Sequence, residues 1–237
     1  MAVSPRVSVV IPVYNGERYL AEAIRSVLQQ TYPPHEVIVA DDGSTDRSGE
    51  IAQGFGPPVR YDYRPHRPVG GAAAARNRGA ELAEGELLAF LDADNLWLPH
   101  KLAQQLEAIH GDNDMVFGQV RQFISPDVEE SVHIEYPVEP VPGLAPITLL
   151  MGRATFLATG LFDPHWEVGE FIDWYVRAGE RGLKTVMLPE VVALRRLHRA
   201  NQGILKRDMR AEYVRIVKAA RDRRRGGAPP TPATPTD

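Results

Sequence analysis

Cysteine is absent from this 237-residue chain, which removes disulfide staples and thiolate metal sites from consideration. A reducing compartment suits such a chain, so the expected location is cytoplasmic, with peripheral contact at the inner face of a membrane as the furthest departure. Long apolar runs are missing too. The longest near the start, Val7 to Val13, is broken by Ser8 and Pro12, whereas a bilayer span needs about 20 apolar residues. Neither G-x-G-x-x-G nor G-x-x-x-x-G-K-[ST] occurs, so dinucleotide and P-loop readings lose their main support. Any phosphate must be met by a cation and by side chains such as Arg76.

What is present is ordinary for a globular protein: 43% hydrophobic and 24% charged residues, enough to bury a sizeable core in one large α/β domain or two small ones. The net charge of −4 is unevenly placed, because residues 206–225 carry nine basic against three acidic side chains. A basic end suits nucleic acid or anionic lipid, but it equally suits a solvated helix followed by a tail. The Pro/Thr-rich end, "GGAPPTPATPTD", has the composition of a disordered segment.

Strand and helix signals alternate through the first 120 residues. "RVSVVIPVYN" reads as a buried strand, and Leu20, Ala23, Ile24, Val27 and Leu28 recur at helical spacing until "YPPHE" stops the helix. "HEVIVADDGSTD" is a second strand with a polar end, whose Ser44 is placed to cap a short helix. "VRYDYRPH" is a third strand, the Ala-rich "GGAAAARNRGAELAEGE" a helix, and "LLAFLDADN" a fourth strand. "LPHKLAQQLEAIHGD" is a helix with Pro99 in its first turn and Gly111 at its end, followed by the strand "DMVFGQVRQFI". This alternation predicts a mainly parallel sheet with helices on both faces. Beyond Gln122 the pattern weakens. "SPDVEESVHIEYPVEPVPGLAP" is expected to loop over the sheet edge, and "FIDWYVRAGERG" to be helical. "KTVMLPEVVALRRLH" fits a strand pair or a bent strand, and "ILKRDMRAEYVRIVKAARDRRR" a strong final helix.

Ligands of parallel α/β sheets bind beyond the carboxyl ends of the strands. Three polar clusters fall there: Tyr14-Asn15, Asp41-Asp42 and Asp92-Ala93-Asp94-Asn95. In a strand, alternate side chains share a face, so Asp92 and Asp94 should point together and repel unless something positive lies between them. Mg²⁺ and Mn²⁺ take carboxylate and phosphate oxygens. The plainer alternative is a turn in which Asp92 or Asn95 caps the next helix. Likewise "DDGSTD" is either a turn with a helix cap or a carboxylate acceptor for a base imide or ribose hydroxyl.

"VSVVIPVYN", "EVIVADDGSTD", "GGAAAARNRGAELAEGELLAFLDADN" and the late "RRLH", in this order over residues 6–200, resemble family 2 glycosyltransferases. The resemblance implies a Rossmann-like GT-A fold, one glycosyltransferase domain over residues 1–222 and a disordered tail over 223–237. Residues 6–122 form its nucleotide-sugar half, 123–203 its acceptor half and 204–222 a C-terminal helix. It also implies inverting, metal-dependent transfer of a sugar, with UDP-sugar as donor and Mn²⁺ or Mg²⁺ as cofactor, to the hydroxyl of a glycan, lipid-linked saccharide or peptide; nucleic acid is not a partner. Pro12, Tyr14 and Asn15 match the first-strand motif at the nucleobase, and Asp42, beside Asp41, the aspartate that contacts the base. Arg76 and Asn77 match an element near the nucleotide-sugar. Asp92 and Ala93 belong to the D-x-D near ribose or sugar, Asp94 matches its metal contact, and His198 a histidine that approaches the metal or diphosphate. No glycine-rich "GxGxR" loop follows the first strand, which argues against a sugar-nucleotide pyrophosphorylase.

One position departs from the family pattern. Where the family opens a helix with an acidic pair that supplies the base, this chain has Glu170, then Phe171, with Asp173 two residues on. Glu170 and Asp173 share a helical face; Asp173 is preferred as base, Glu170 second. The same departure motivates the alternative of a non-catalytic nucleotide-sugar-binding protein. In the final helix, Ile204, Met209, Tyr213, Ile216 and Val217 suggest an apolar side, and Arg207, Arg210, Arg221 and the arginines from Arg223 to Arg225 a polar one. Such a helix can lie on an anionic membrane or pack on its own domain.

Overall fold

The structure, a computed structural model, describes residues 4–66, 70–109, 113–128, 136–166, 169–198 and 210–224. Strands β1 (Val7–Val13) and β2 (Glu36–Asp41) are buried at every position, as strands covered on both faces must be. β3 (Val59–Tyr63) pairs parallel with β2, and β4 (Leu87–Phe90) parallel with β1. Between them run α1 (Leu20–Leu28), α2 (Ser48–Gly54) and α3 (Gly71–Leu82). The apolar spacing read in α1 is the spacing buried: Leu20, Ala23, Ile24 and Val27.

The two faces of β1 feed two cores. Val7, Val9, Ile11 and Val13 pack with α1, α2 and α4 (Lys101–Ala108), while Val10 packs with α3, α5 (Arg153–Thr159) and α6 (Glu170–Glu180). The second core is aromatic, with Phe90, Phe117, Phe156, Phe162, Phe171 and Trp174 buried together.

After β4 the sheet changes character. The strand order is β3-β2-β1-β4-β8-β6-β9-β5, with β7 beside β6. β8 (Leu150–Gly152) enters antiparallel between β4 and β6 (Met115–Ile124), and β5 (Leu96–Trp97) forms the edge against β9 (Thr185–Leu197). Most paired residues still lie in parallel ladders, because β6 and β9 pair parallel along nearly their whole length. β9 is one bent strand: its register slips opposite Gly118, around Pro189, where a residue without an N–H cannot serve the ladder.

Several local expectations are corrected. β4 ends at Phe90, so Asp92 and Asp94 lie in a turn in which the Asn95 N–H donates to Asp92 O at 3.0 Å, and period-two alternation does not govern them. Ser44 does not cap α2; its hydroxyl accepts from the Asn15 N–H, and Asp46 Oδ1 accepts from the Ser48 N–H instead. Neither Asp92 nor Asn95 caps α4; in its first turn the Leu102 N–H donates to Gln30 Oε1 at 3.0 Å instead. Pro99 sits just before that helix, and Gly111 lies outside the described residues. The proline-rich stretch does not only skirt the edge, since β7 (Val141–Pro142) pairs with β6.

The last helix, α7 (Arg210–Arg224), starts later than the expected 204 and runs past the expected 222, so that Arg223 and Arg224 are helical and not part of a disordered tail. Ile204, Arg207, Met209 and residues 225–237 lie outside the described residues, as do the side chains of Arg210, Tyr213 and Arg224. Its supposed apolar stripe divides. Ile216, Ala219 and Ala220 are buried, whereas Val214 and Val217 face solvent. Arg223, expected on the polar side, turns inward to Asp173 and Glu180. Among the described residues no helix is long and apolar enough to cross a membrane.

Candidate active site

The loops leaving β1, β2 and β4 meet at the carboxyl edge of the sheet. Asn15, at φ +50°, folds the first loop onto the second: its Oδ1 accepts from the Thr45 N–H at 2.8 Å, and its own N–H donates to Ser44 Oγ at 2.8 Å. Gly16 then lies so close to the third loop that a Cβ there would stand 3.6 Å from the Ala93 Cβ. Pro12 is buried in β1, paired with Ala40. The polar clusters named from the sequence therefore do share one edge.

The two carboxylates at the end of β2 have separate roles. Asp41 is fully buried, and its oxygens accept from the Gly43 and Ser44 N–H groups and from the Tyr61 hydroxyl. Burial and then that bond to Asp41 raise the Tyr61 pKa above the ordinary phenol range. Asp41 thus organises the loop. Asp42 Oδ2 lies 3.0 Å from His66 Nδ1 and accepts from the Gly71 N–H, tying β2 to the start of α3. Tyr14, half exposed, stacks on the His66 ring at 5.0 Å. His66 escaped the sequence reading because its position after β3 carries no motif.

In the turn beyond β4, Asp92 and Asp94 diverge to different partners. Asp92 Oδ1 accepts from Arg76 Nη2 at 2.6 Å. Asp94 Oδ2 lies 3.0 Å from His198 Nε2, so the late histidine does reach the D-x-D. Arg76 is 6% exposed and also donates through Nη1 to Glu170 Oε1 at 2.8 Å. Burial alone would lower the Arg76 pKa, but Asp92 and Glu170 outweigh it and hold the guanidinium charged. Its Nε is buried with no hydrogen-bond partner among the described residues. Asn77, its neighbour, clamps α3 to the loop after α5: Nδ2 donates to Phe162 O at 2.7 Å, and Oδ1 accepts from the Phe162 N–H at 2.9 Å.

The two acids of α6 part company. Glu170 is bonded to Arg76 and so joins the Asp92 side of the site. Asp173, 4% exposed, accepts from Arg177 Nε at 2.9 Å and from Arg223 Nη1 at 3.1 Å. Both its oxygens are taken by structural cations, which leaves it poorly placed to receive a proton. Phe171 points into the aromatic core, stacked near Trp174 and Tyr175, so the departure from the acidic pair has a packing role.

The donor set tests whether a divalent cation belongs here. Asp94 offers carboxylate oxygen and His198 an imidazole nitrogen, a mixed pair suited to Mn²⁺. Among the described residues no group of three or more His, Asp or Glu side chains forms a cage. The residues present fit a cation that takes its remaining ligands from a bound diphosphate, as Mg²⁺ and Mn²⁺ sites built with substrate do.

Comparison with known proteins follows the same lines. Residues 8–166 match the family described as "Glycosyl transferase family 2". The teichuronic acid biosynthesis glycosyltransferase TuaG of Bacillus subtilis, itself named putative, is 42% identical over 107 residues, which are 44% of this chain and 41% of TuaG. Glycosyltransferase GlyG of Streptococcus pneumoniae is 36% identical over 128 residues, 52% of this chain and 42% of GlyG. The chain therefore spans under half the length of these relatives. Among solved structures, the mannosyltransferase PcManGT of Pyrobaculum calidifontis in complex with GDP-Man and Mn²⁺ superposes with TM-score 0.68 at 22% identity, over 97% of this chain and 67% of that one. S. aureus TarS in complex with UDP-GlcNAc gives TM-score 0.66 at 22% identity, over 83% of this chain and 60% of that one. The fold is that of GT-A glycosyltransferases.

Proposed function

The chain belongs to glycosyl transferase family 2, and from that membership we propose that it moves a sugar from a nucleotide-sugar to an acceptor hydroxyl with inversion. The observation that carries the reading is the bridge Asp92–Arg76–Glu170, which joins the donor-side turn to the first residue of α6. Glu170 is the base in this reading, ahead of Asp173. Its carboxylate takes the proton of the acceptor hydroxyl while that oxygen bonds to the anomeric carbon. The bond from that carbon to the diphosphate breaks, and its electron pair leaves with the nucleoside diphosphate. Inversion follows from one displacement, with no covalent nucleophile.

Asp94 and His198 would hold Mn²⁺ or Mg²⁺, which supplies charge neutralisation at the leaving diphosphate. Tyr14, Asn15 and Asp42 would frame the base, and Asp92 with Ala93 would border the ribose or sugar. Arg76, engaged by two carboxylates, acts as the strut between donor and base rather than as a free phosphate contact. UDP is the proposed nucleotide and GDP the closest competitor, since TarS is solved with UDP-GlcNAc and PcManGT with GDP-Man. The exposed Val214, Val217, Lys218 and Arg221 of α7 offer a surface for an anionic membrane, which would suit a lipid-linked acceptor; co-sedimentation with anionic vesicles at low salt tests it.

A thermal-shift panel of UDP, GDP and dTDP, each with and without Mn²⁺, tests the donor reading through stabilisation by mass action. We expect one nucleotide to raise the melting temperature only when Mn²⁺ is present; no response to any pair would end it. Phe171 keeps a second reading alive, a nucleotide-sugar-binding protein without turnover. Donor binding with no transfer across many acceptors would favour that alternative, and Glu170-dependent transfer would exclude it.

A further inference from the structure

Arg196 lies on β9, two residues before His198, and is 4% exposed. A buried guanidinium needs compensation, and here the turn that carries Asp94 supplies part of it. Nε donates to the main-chain oxygen of Asp94 at 2.9 Å, and the Arg196 N–H donates to Asn95 Oδ1 at 2.8 Å. Asn95 Nδ2 in turn reaches Asp92 Oδ2 at 3.3 Å. The guanidinium carbon lies over the rings of Tyr19, at 4.6 Å, and Phe123, at 4.9 Å. Nη1 donates to Ser125 Oγ, and Nη2 to Glu22, which neutralises the charge. Tyr19 also lies against the His198 ring at 5.0 Å and donates its hydroxyl to Asp127.

We propose that Arg196 is a positioning residue for the cation site: it fixes the acidic turn so that the Asp94 carboxylate meets His198 before a donor arrives. It touches neither donor nor acceptor in this role. The inference rests on the reading of Asp94 and His198 as cation ligands. Two rival accounts of the residue differ in sign. If Arg196 only added positive charge near the cation, removing it would tighten Mn²⁺ binding by Coulomb's law. If it braces the turn, removing it loosens Mn²⁺ binding even though a repelling charge has gone. Partners behind metal ligands commonly change affinity by about 10- to 100-fold. Glu22 has the converse part, because its loss leaves the Arg196 charge uncompensated.

The experiment is direct Mn²⁺ binding, read from the free-ion electron paramagnetic resonance signal, on the full chain with and without UDP. Circular dichroism checks each variant's fold. Arg196→Met is expected to weaken Mn²⁺ binding at least about tenfold, and Glu22→Gln to weaken it several-fold. Wild-type or tighter binding by Arg196→Met overturns the proposal. Should Arg196→Met fail to fold, Arg196→Lys and Tyr19→Leu decide instead: both are expected to bind Mn²⁺ more weakly, and wild-type affinity in both overturns the role. Asp94→Asn separates the two layers of the argument. If it binds Mn²⁺ like the parent, the cation reading itself falls. If it loses Mn²⁺ while Arg196→Met keeps it, only the bracing role falls.

Discussion

The acids that close β2 and the acids of α6 are held by different means. At the end of β2 main-chain N–H groups take the larger share: those of Gly43 and Ser44, two and three residues on, hold Asp41, and that of Gly71 holds Asp42, with Tyr61 and His66 reaching in from farther along the chain. On α6 the partners are arginines: Arg177 four residues on and Arg223 fifty residues on for Asp173, and Arg76 ninety-four residues back for Glu170. Local satisfaction leaves a trace in the sequence, because turn and cap geometry requires short spacings. Remote satisfaction leaves none. Two acids three residues apart on α6 can thus look equivalent in the sequence and hold opposite places in the structure.

The sharpest way to break that contrast is to neutralise each acid. Glu170→Gln is expected to lower kcat by about 10²- to 10⁴-fold, the usual worth of a general base, with nucleotide binding retained in the thermal-shift assay. Asp173→Asn should instead lower stability by about 2–3 kcal/mol in urea unfolding, because it leaves two arginines short of their partner; the partial exposure of Arg177 and Arg223 keeps the figure below that for a fully buried pair. Its transfer rate at low temperature should stay within a few-fold of the parent. Were Asp173→Asn the inactive one and Glu170→Gln the unstable one, the division of labour on α6 would be reversed.

Phe171→Asp introduces the acid that the resemblance to family 2 leads one to expect and asks whether that position faces the site or the core. Phe171 is 6% exposed within an aromatic cluster, so a carboxylate there loses packing and finds no partner. A loss of about 3–5 kcal/mol is expected, without any gain in transfer. A variant as stable as the parent and more active would show that the position can turn outward.

These two regions also differ in how much could be read in advance. The parallel strands were legible from their dense β-branched residues, α1 from periodicity and α3 from its alanine content, and the convergence of Asn15, Asp42 and Asp92 at the sheet's carboxyl edge followed from strand direction alone. His198 near Asp94 came from resemblance, since a distance of 104 residues has no local signature. The bracing by Arg196, the stack of His66 on Tyr14 and the insertion of β8 beside β4 were all missed. Each depends on packing between segments far apart in the chain, and short strands such as β5 and β8 offer too few residues for a period to show. The error at Asp92 and Asp94 was of another kind: a strand's alternation was extended past the point where β4 stops.

Asn77 probes the border between the regions. Its amide makes a reciprocal pair with the backbone of Phe162, the type of contact whose removal strands two buried groups. Asn77→Ala should cost about 2–3 kcal/mol in urea unfolding and loosen the loop that leads into α6. Because that loop ends near Glu170, the transfer rate should fall more than nucleotide affinity does. Equal loss in both would place Asn77 at the donor instead.

The smallest expected effect concerns a cation that no acid among the described residues pairs with. Lys101 on α4 is fully buried; its Nζ lies 4.1 Å from the Trp97 ring centre and donates to Gln105 Oε1. Burial drives its pKa well below the ordinary 10.5, and the Trp97 ring, which favours the charged form, offsets only part of that. The unfolded chain therefore binds a proton at Lys101 that the folded chain does not, throughout the window between the lowered value and 10.5. Stability must rise with pH across that window, by at most about 1.4 kcal/mol per pH unit. Lys101→Met removes this contribution, so its unfolding free energy should climb less steeply than the parent's between pH 7 and pH 9. Parallel curves would mean that Lys101 stays charged when folded, held by Trp97 and Gln105 alone, and that an ion in this fold can be satisfied with neither a neighbouring N–H nor a distant countercharge.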